Sequence, residues 1–168
     1  MSLIQLLIAE IEHESVSTQK MLACVPSEKF DWRPHPKSMT LKQLATHTAN
    51  LSGWAGFIVN TDYLDFADGT LKRPEINNTE DLIQELKTGT QQSISALKTA
   101  KEEELINKIW VLRNGNQILM ELPKIKFIRS MAMNHLYHHR AQLSVYLRML
   151  DVAIPGMYGP SADEMPKS

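Results

Sequence analysis

Apolar residues recur at helical spacing in four stretches of this 168-residue chain. The first spans residues 2 to about 24 and carries Leu3, Leu6, Leu7, Ile11, Val16 and Met21, with Pro26 just past its end. A loop punctuated by Pro26, Pro34 and Pro36 comes next. Ser38 or Thr40 can cap a second helix, whose stripe runs Leu41, Leu44, His47, Leu51, Trp54 and Ile58. Residues 61–78 are rich in Asp, Gly and Asn and contain Pro74, which predicts irregular chain. A third helix starts near Asn78 or Thr79 and puts Glu80 and Asp81 in its first turn, where the helix dipole favours acid. It continues through Leu82, Leu86, Ile94 and Leu97. The period then changes, and residues 109–112, Asn114-Gly115 and residues 118–120 predict a short hairpin around an Asn-Gly turn. A fourth helix opens after Pro123 and runs to about Leu150, ahead of Pro155 and Gly156.

Four long helices with a short β-hairpin between the third and the fourth predict an all-α four-helix bundle. The length suits one domain over residues 1–168 with a proper core. The connection from helix two to helix three is long enough to cross the bundle, which would leave those two helices parallel.

The stripe of helix four is best drawn as Ile128, Ala132, His135, His139, Leu143, Tyr146 and Leu150, so two imidazoles stand where a bundle wants leucine. Residues four apart share a helix face, which makes His135 and His139 a bidentate clamp for a transition metal. His47, on the stripe of helix two, would complete a three-histidine site with coordination positions left open. The alternative is that these rings are core polar groups bonded to the backbone, Gln142 or Tyr146, because an unpartnered buried polar group costs roughly 2–7 kcal/mol. Three histidines on facing stripes favour the metal. The pair lacks the glutamate of the H-E-x-x-H protease signature. His138 is offset to the edge of the stripe, while His13 and His35 read as surface residues. Arg140 is expected to pack its stem on the bundle and pair with an acidic group. Trp54 reads as a core aromatic that could also line a pocket above the metal.

Composition narrows the function by exclusion. A net charge of -1 gives no basic face for nucleic acid. Cys24 is the only cysteine, so there is no intrachain disulfide and no cysteine zinc site, which fits a reducing compartment. The apolar start lacks a basic lead and reaches acid at Glu10, as an amphipathic helix does and a signal peptide does not. No apolar stretch approaches membrane-spanning length, so the expectation is a cytoplasmic protein.

Three stretches resemble the DinB-like (damage-inducible) family, including its YfiT-like metal-dependent branch. They are residues 38–47 ending in His47, residues 134–143 containing His135 and His139, and the tail from Tyr146-Leu147-Arg148 through residues 154–164. The resemblance implies an up-down-down-up four-helix bundle and often a homodimer. It also implies zinc or nickel on His47, His135 and His139. The name refers to induction by DNA damage, not to DNA binding. Relatives include thiol transferases or isomerases that use low-molecular-weight thiols, and others resemble hydrolases. The expected function is therefore a metal-dependent enzyme on small molecules, of thiol transferase or hydrolase type. The alternative is a non-catalytic stress-related protein that binds metal or a small ligand, with Glu10 or Glu14 closing a structural metal shell.

Overall fold

The computed structural model of the chain describes residues 2–69 and 74–166. Helix α1, Leu3–Ala23, opens on a capping box: the Ser2 hydroxyl accepts from the Gln5 amide, and the Gln5 side chain accepts from that of Ser2. Helix α2, Leu41–Asn50, begins the same way with Thr40 and Gln43, so Thr40 and not Ser38 is the cap.

The second helix is not continuous. Residues Leu51–Gly53 tighten into a 3-10 turn before helix α3, Trp54–Asn60. The cause lies on the neighbouring helix α4, Thr79–Thr99, which Asn78 caps. Ser93 there donates its hydroxyl to the Ser52 carbonyl at 2.6 Å and accepts from the Gly56 amide at 3.0 Å. An unbroken α-helix would join those two backbone groups to each other, so the serine hydroxyl replaces one rung of the ladder. Small residues make room for it. A side chain at Gly89 would run into Ser52 and Gly53, and one at Gly56 would meet the backbone of Gln92 and Ser93.

Paired residues give the helix directions. Asn50 bonds Glu85 and Gly56 bonds Ser93, so α2–α3 and α4 run side by side in the same sense. Ser15 bonds Thr90 and Ser27 bonds Thr79, so α1 runs against α4.

The 61–78 segment departs from expectation. Tyr63–Asp65 forms strand β1, paired in parallel with β2 (Ile109–Asn114), which pairs antiparallel with β3 (Gln117–Pro123). Three residues are too few to show strand alternation. What holds them is Leu64 in the core and Asp65, whose carboxylate accepts from the Ala67 and Gly115 amides and pairs with Arg113. Residues 70–73 of that segment lie outside the described residues. The hairpin stands where expected, shifted by one residue: Asn114 pairs with Gln117, and Gly115 takes the first loop position at φ 58°. A short helix that no periodicity announced, α5 (Glu102–Asn107), links α4 to β2.

The expected fourth helix also differs. It starts as α6, Lys124–Phe127, widens into a π-helix over Ile128–Asn134, and continues as α7, His135–Met149. The wider i→i+5 turn rotates the later part of the helix by roughly a quarter turn against the earlier part. Leu136, Leu143 and Leu147 thereby take the core stripe. His135, Tyr146 and Leu150, drawn on that stripe from the sequence, lie half-buried at its margin.

The core falls into two parts along the bundle. One gathers Leu7, Ile58, Leu97, Trp110 and Phe127, the other Leu22, Leu41, Leu44, Leu82 and Leu147. Buried polar groups are concentrated in the stretch between, including Glu14 and Thr18 from α1, Thr48 from α2, Thr90 from α4, and His139 and Arg140 from α7.

The tail folds back on itself beyond α7. Asp163 pairs with Arg148 through both oxygens, at 3.0 and 2.6 Å, and accepts from the Ile154 amide. Glu164 accepts from the amides of Gly156 and Ser161. The Arg148 guanidinium, together with the Ile154 amide, holds the Asp163 carboxyl down at about 2. A depressed carboxylate contributes fully above its unfolded value, about 3.9, and loses that contribution as pH falls through the folded value. The Ile154 amide resonance should therefore keep its position from pH 7 to about 4 and move only below about 3.

Candidate metal centre

His47 leaves α2 three residues before its end, while His135 and His139 leave the first two turns of α7. The two helices run antiparallel here, as the Tyr146 hydroxyl on the Met39 carbonyl shows at the other end of the contact. The three rings meet with centroids 4.6–4.9 Å apart. Their Nε2 atoms converge: 3.4 Å from His47 to His135 and 2.8 Å from His139 to His135. One ligand nitrogen from each ring lies within 4.8 Å of the other two, and this cluster could hold a metal ion. Zinc–nitrogen bonds of 2.0–2.1 Å at tetrahedral angles put ligand nitrogens about 3.3 Å apart. The first separation matches that edge, and the second is a hydrogen-bond length.

Proton positions strengthen the fit. His139 Nδ1 lies 2.8 Å from the Gln142 side-chain oxygen, so that nitrogen is the donor and Nε2 carries the lone pair. His135 must then donate from its own Nε2 to His139, which leaves its Nδ1 as a bare acceptor. That atom is buried and has no hydrogen bond of good geometry. The polar group bearing on it is the Met131 carbonyl, which itself can only accept. His47, His135 and His139 would hold a cation through their Nε2 atoms, which would leave the His135 proton on Nδ1, towards the Met131 carbonyl. A carbonyl behind a ligating imidazole is the usual supporting arrangement.

Burial lowers the pKa of His135, the charges of His139 and His138 lower it further, and the Met131 carbonyl opposes them. Burial also lowers His139, with Gln142 opposing and His138 assisting. Both rings are neutral at pH 7, the form that binds metal.

The other sequence candidates take varied places. His138 is exposed and sets its ring against His139 at 4.9 Å. His13 and His35 are exposed. Trp54 is half-buried and donates to Asn50, which in turn donates to Glu85. Burial raises the Cys24 thiol, so nothing activates it. Glu10 and Glu14, the candidates for a fourth ligand, are committed elsewhere. Glu10 receives Arg129 and Tyr137, and Glu14 receives Arg140 and Tyr158. Among the described residues no carboxylate joins the cluster. The sequence foresaw an acidic partner for Arg140 but not which one, and it assigned Tyr158 no role.

A cavity of about 30 Å³ is lined by Glu14, Leu51, Ser52, Thr90 and Leu136 among others, and by none of the three histidines. That is room for one or two waters. Among the described residues, no helix is long and apolar enough to cross a membrane.

The chain is 24% identical over 156 residues to the protein YrdA of Bacillus subtilis, covering 93% of this chain and 88% of that one. Among solved structures it resembles a DinB-like protein from Bacillus cereus, with a TM-score of 0.68 at 21% identity, over 90% of this chain and 95% of the other. A DinB-like protein of Bacillus subtilis, YjoA, superposes with a TM-score of 0.67 at 16% identity, covering 90% and 96%. At such identities the likeness establishes the fold. The family itself is shown by sequence, for the DinB family profile matches residues 1–167, and the chain belongs to the DinB family.

Proposed function

We propose that His47, His135 and His139 bind a divalent transition metal, zinc or nickel, and that the protein is a metal-dependent enzyme on small molecules. The observation that carries this is the convergence of three Nε2 atoms, with the buried His135 Nδ1 left without a hydrogen-bond partner. When bound, such an ion supplies Lewis acidity that makes a water or a thiol nucleophilic at neutral pH. Gln142 holds the His139 proton on Nδ1, and burial keeps His135 and His139 uncharged. Among the described residues no carboxylate would offset the cation's charge, which favours an anionic ligand such as the thiolate of a low-molecular-weight thiol.

A structural, non-catalytic metal usually has four protein ligands. The commitment of Glu10 and Glu14 to arginine and tyrosine partners speaks against that second reading. We further propose a cytoplasmic homodimer, supported by exposed Leu6 and Val16 on α1 and Val145 and Met149 on α7.

The test is cobalt substitution of the full-length protein. Adding small thiols should shift the visible cobalt bands, and the loaded protein should turn over a thiol with some member of an electrophile panel. Unchanged bands and no turnover across the panel would sink the thiol reading.

A further inference from the structure

The tail motif makes a contact that neither metal binding nor family membership accounts for. Tyr158 is 72% exposed, yet its hydroxyl reaches a buried ion pair. It lies 3.1 and 3.0 Å from the two Glu14 carboxylate oxygens and 2.7 Å from Arg140 Nη2. Arg140 is 2% exposed and its other nitrogen is spent on α1: Nη1 reaches the Glu14 carboxylate at 2.7 Å, the Thr18 hydroxyl at 3.1 Å and the Glu14 carbonyl at 3.3 Å. The guanidinium carbon lies 5.5 Å from the rings of both Tyr137 and Tyr158.

Arg140 is the residue after His139, so the two side chains leave α7 about 100° apart. One faces the α2 histidine, the other faces α1 and the tail. Whatever fixes Arg140 about the helix axis also fixes His139. In the seven π-helical residues just upstream, wider i→i+5 turns replace the usual i→i+4 ladder, so the register of α7 about its axis is not set by that ladder alone. The tail is built to present its tyrosine. Arg148 and Asp163 tie it to the end of α7, Glu164 closes the turn on Gly156 and Ser161, and a side chain at Gly156 would strike Gly159 and Glu164.

We propose that residues 152–166 form a strap whose Tyr158 hydroxyl locks the Glu14–Arg140 pair and so sets the rotation of α7 that brings His135 and His139 to His47. Tyr158 is thus a positioning residue for the histidine cluster, acting through Arg140.

The test compares full-length wild type, Tyr158→Phe and Asp163→Ala. Tyr158→Phe removes only the hydroxyl, and Asp163→Ala loosens the strap without touching Glu14 or Arg140. Imidazole ¹⁵N–¹H spectra of the metal-free protein report the tautomer and environment of each ring, with His13 and His35 as internal controls. The strap predicts shifted or broadened His139 signals in both variants and unmoved controls. It also predicts zinc affinity weakened about tenfold in Tyr158→Phe, the low end of what supporting groups contribute. The zinc arm rests on the metal reading above, whereas the ring arm does not. If wild type binds no zinc but the His139 signals still move, the metal reading fails and the strap stands. Tail amides released with the His139 signals unmoved would overturn the strap.

Discussion

Replacing His135 by alanine is expected to remove the metal without lowering the stability of the metal-free chain. Metal analysis of untagged protein should find about one zinc or nickel per chain in wild type and close to none in His135→Ala, since a three-ligand site cannot spare one. Most buried polar residues destabilise when truncated, because they leave a partner unsatisfied. His135 differs. Its Nδ1 has no hydrogen bond, and its Nε2 meets a neighbour, His139, that water can reach once the ring is gone. The free energy lost in packing is offset by releasing a desolvated nitrogen, so thermal midpoints of the two metal-free proteins should agree within a few degrees. With zinc present they should separate, because a ligand that binds only the folded state adds RT ln(1 + [L]/Kd), about 2.7 kcal/mol at a hundredfold excess over Kd. No metal in either protein, after zinc and nickel have been offered, would reduce the cluster to core polar groups. A mutant that melts far below wild type without metal would show that the ring is structural.

The helices and the hairpin could be read from the sequence because each is signalled locally. Thr40 is one of two cap candidates for the second helix and Asn78 one of two for the third, whereas the Ser2–Gln5 box went unread, and Gly115 marks the turn. The three histidines were drawn on the stripes of two helices, and their rings do meet, although His135 lies at the margin of its stripe. What the sequence missed depends on distant residues. The break after α2 is made by a serine 41 residues away, and β1 exists because Asp65 closes on a hairpin 50 residues later. The π-helix leaves no trace in an alternation of apolar and polar positions, since that pattern assumes one fixed period. It shifted the core stripe onto Leu136 and Leu147 and moved His135 to the margin, where a ligand can reach it. The error in the sequence reading therefore falls on the element that shapes the site.

Glu14→Ala is expected to be the most destabilising single substitution among the polar residues considered. The pair it breaks is buried, with the Glu14 and Arg140 side chains 11% and 3% exposed. Removing one member strands a guanidinium away from water, which costs about 3–5 kcal/mol. At this chain length each kcal/mol moves the midpoint by about 2–4 °C, so a fall of roughly 10 °C is the central expectation in calorimetry. The same physics makes a second prediction of opposite character. The Coulombic gain of a buried pair barely repays its desolvation, so Glu14→Leu with Arg140→Met should recover most of the loss. A double variant as unstable as Glu14→Ala would mean that the Tyr158 and Thr18 hydroxyls, which also bond this pair, carry more of its stability than the charges do. A recovered double variant would separate the two roles of the pair. Its folding would then owe little to the charges, and any remaining loss of zinc would measure what Arg140 contributes to the setting of His139.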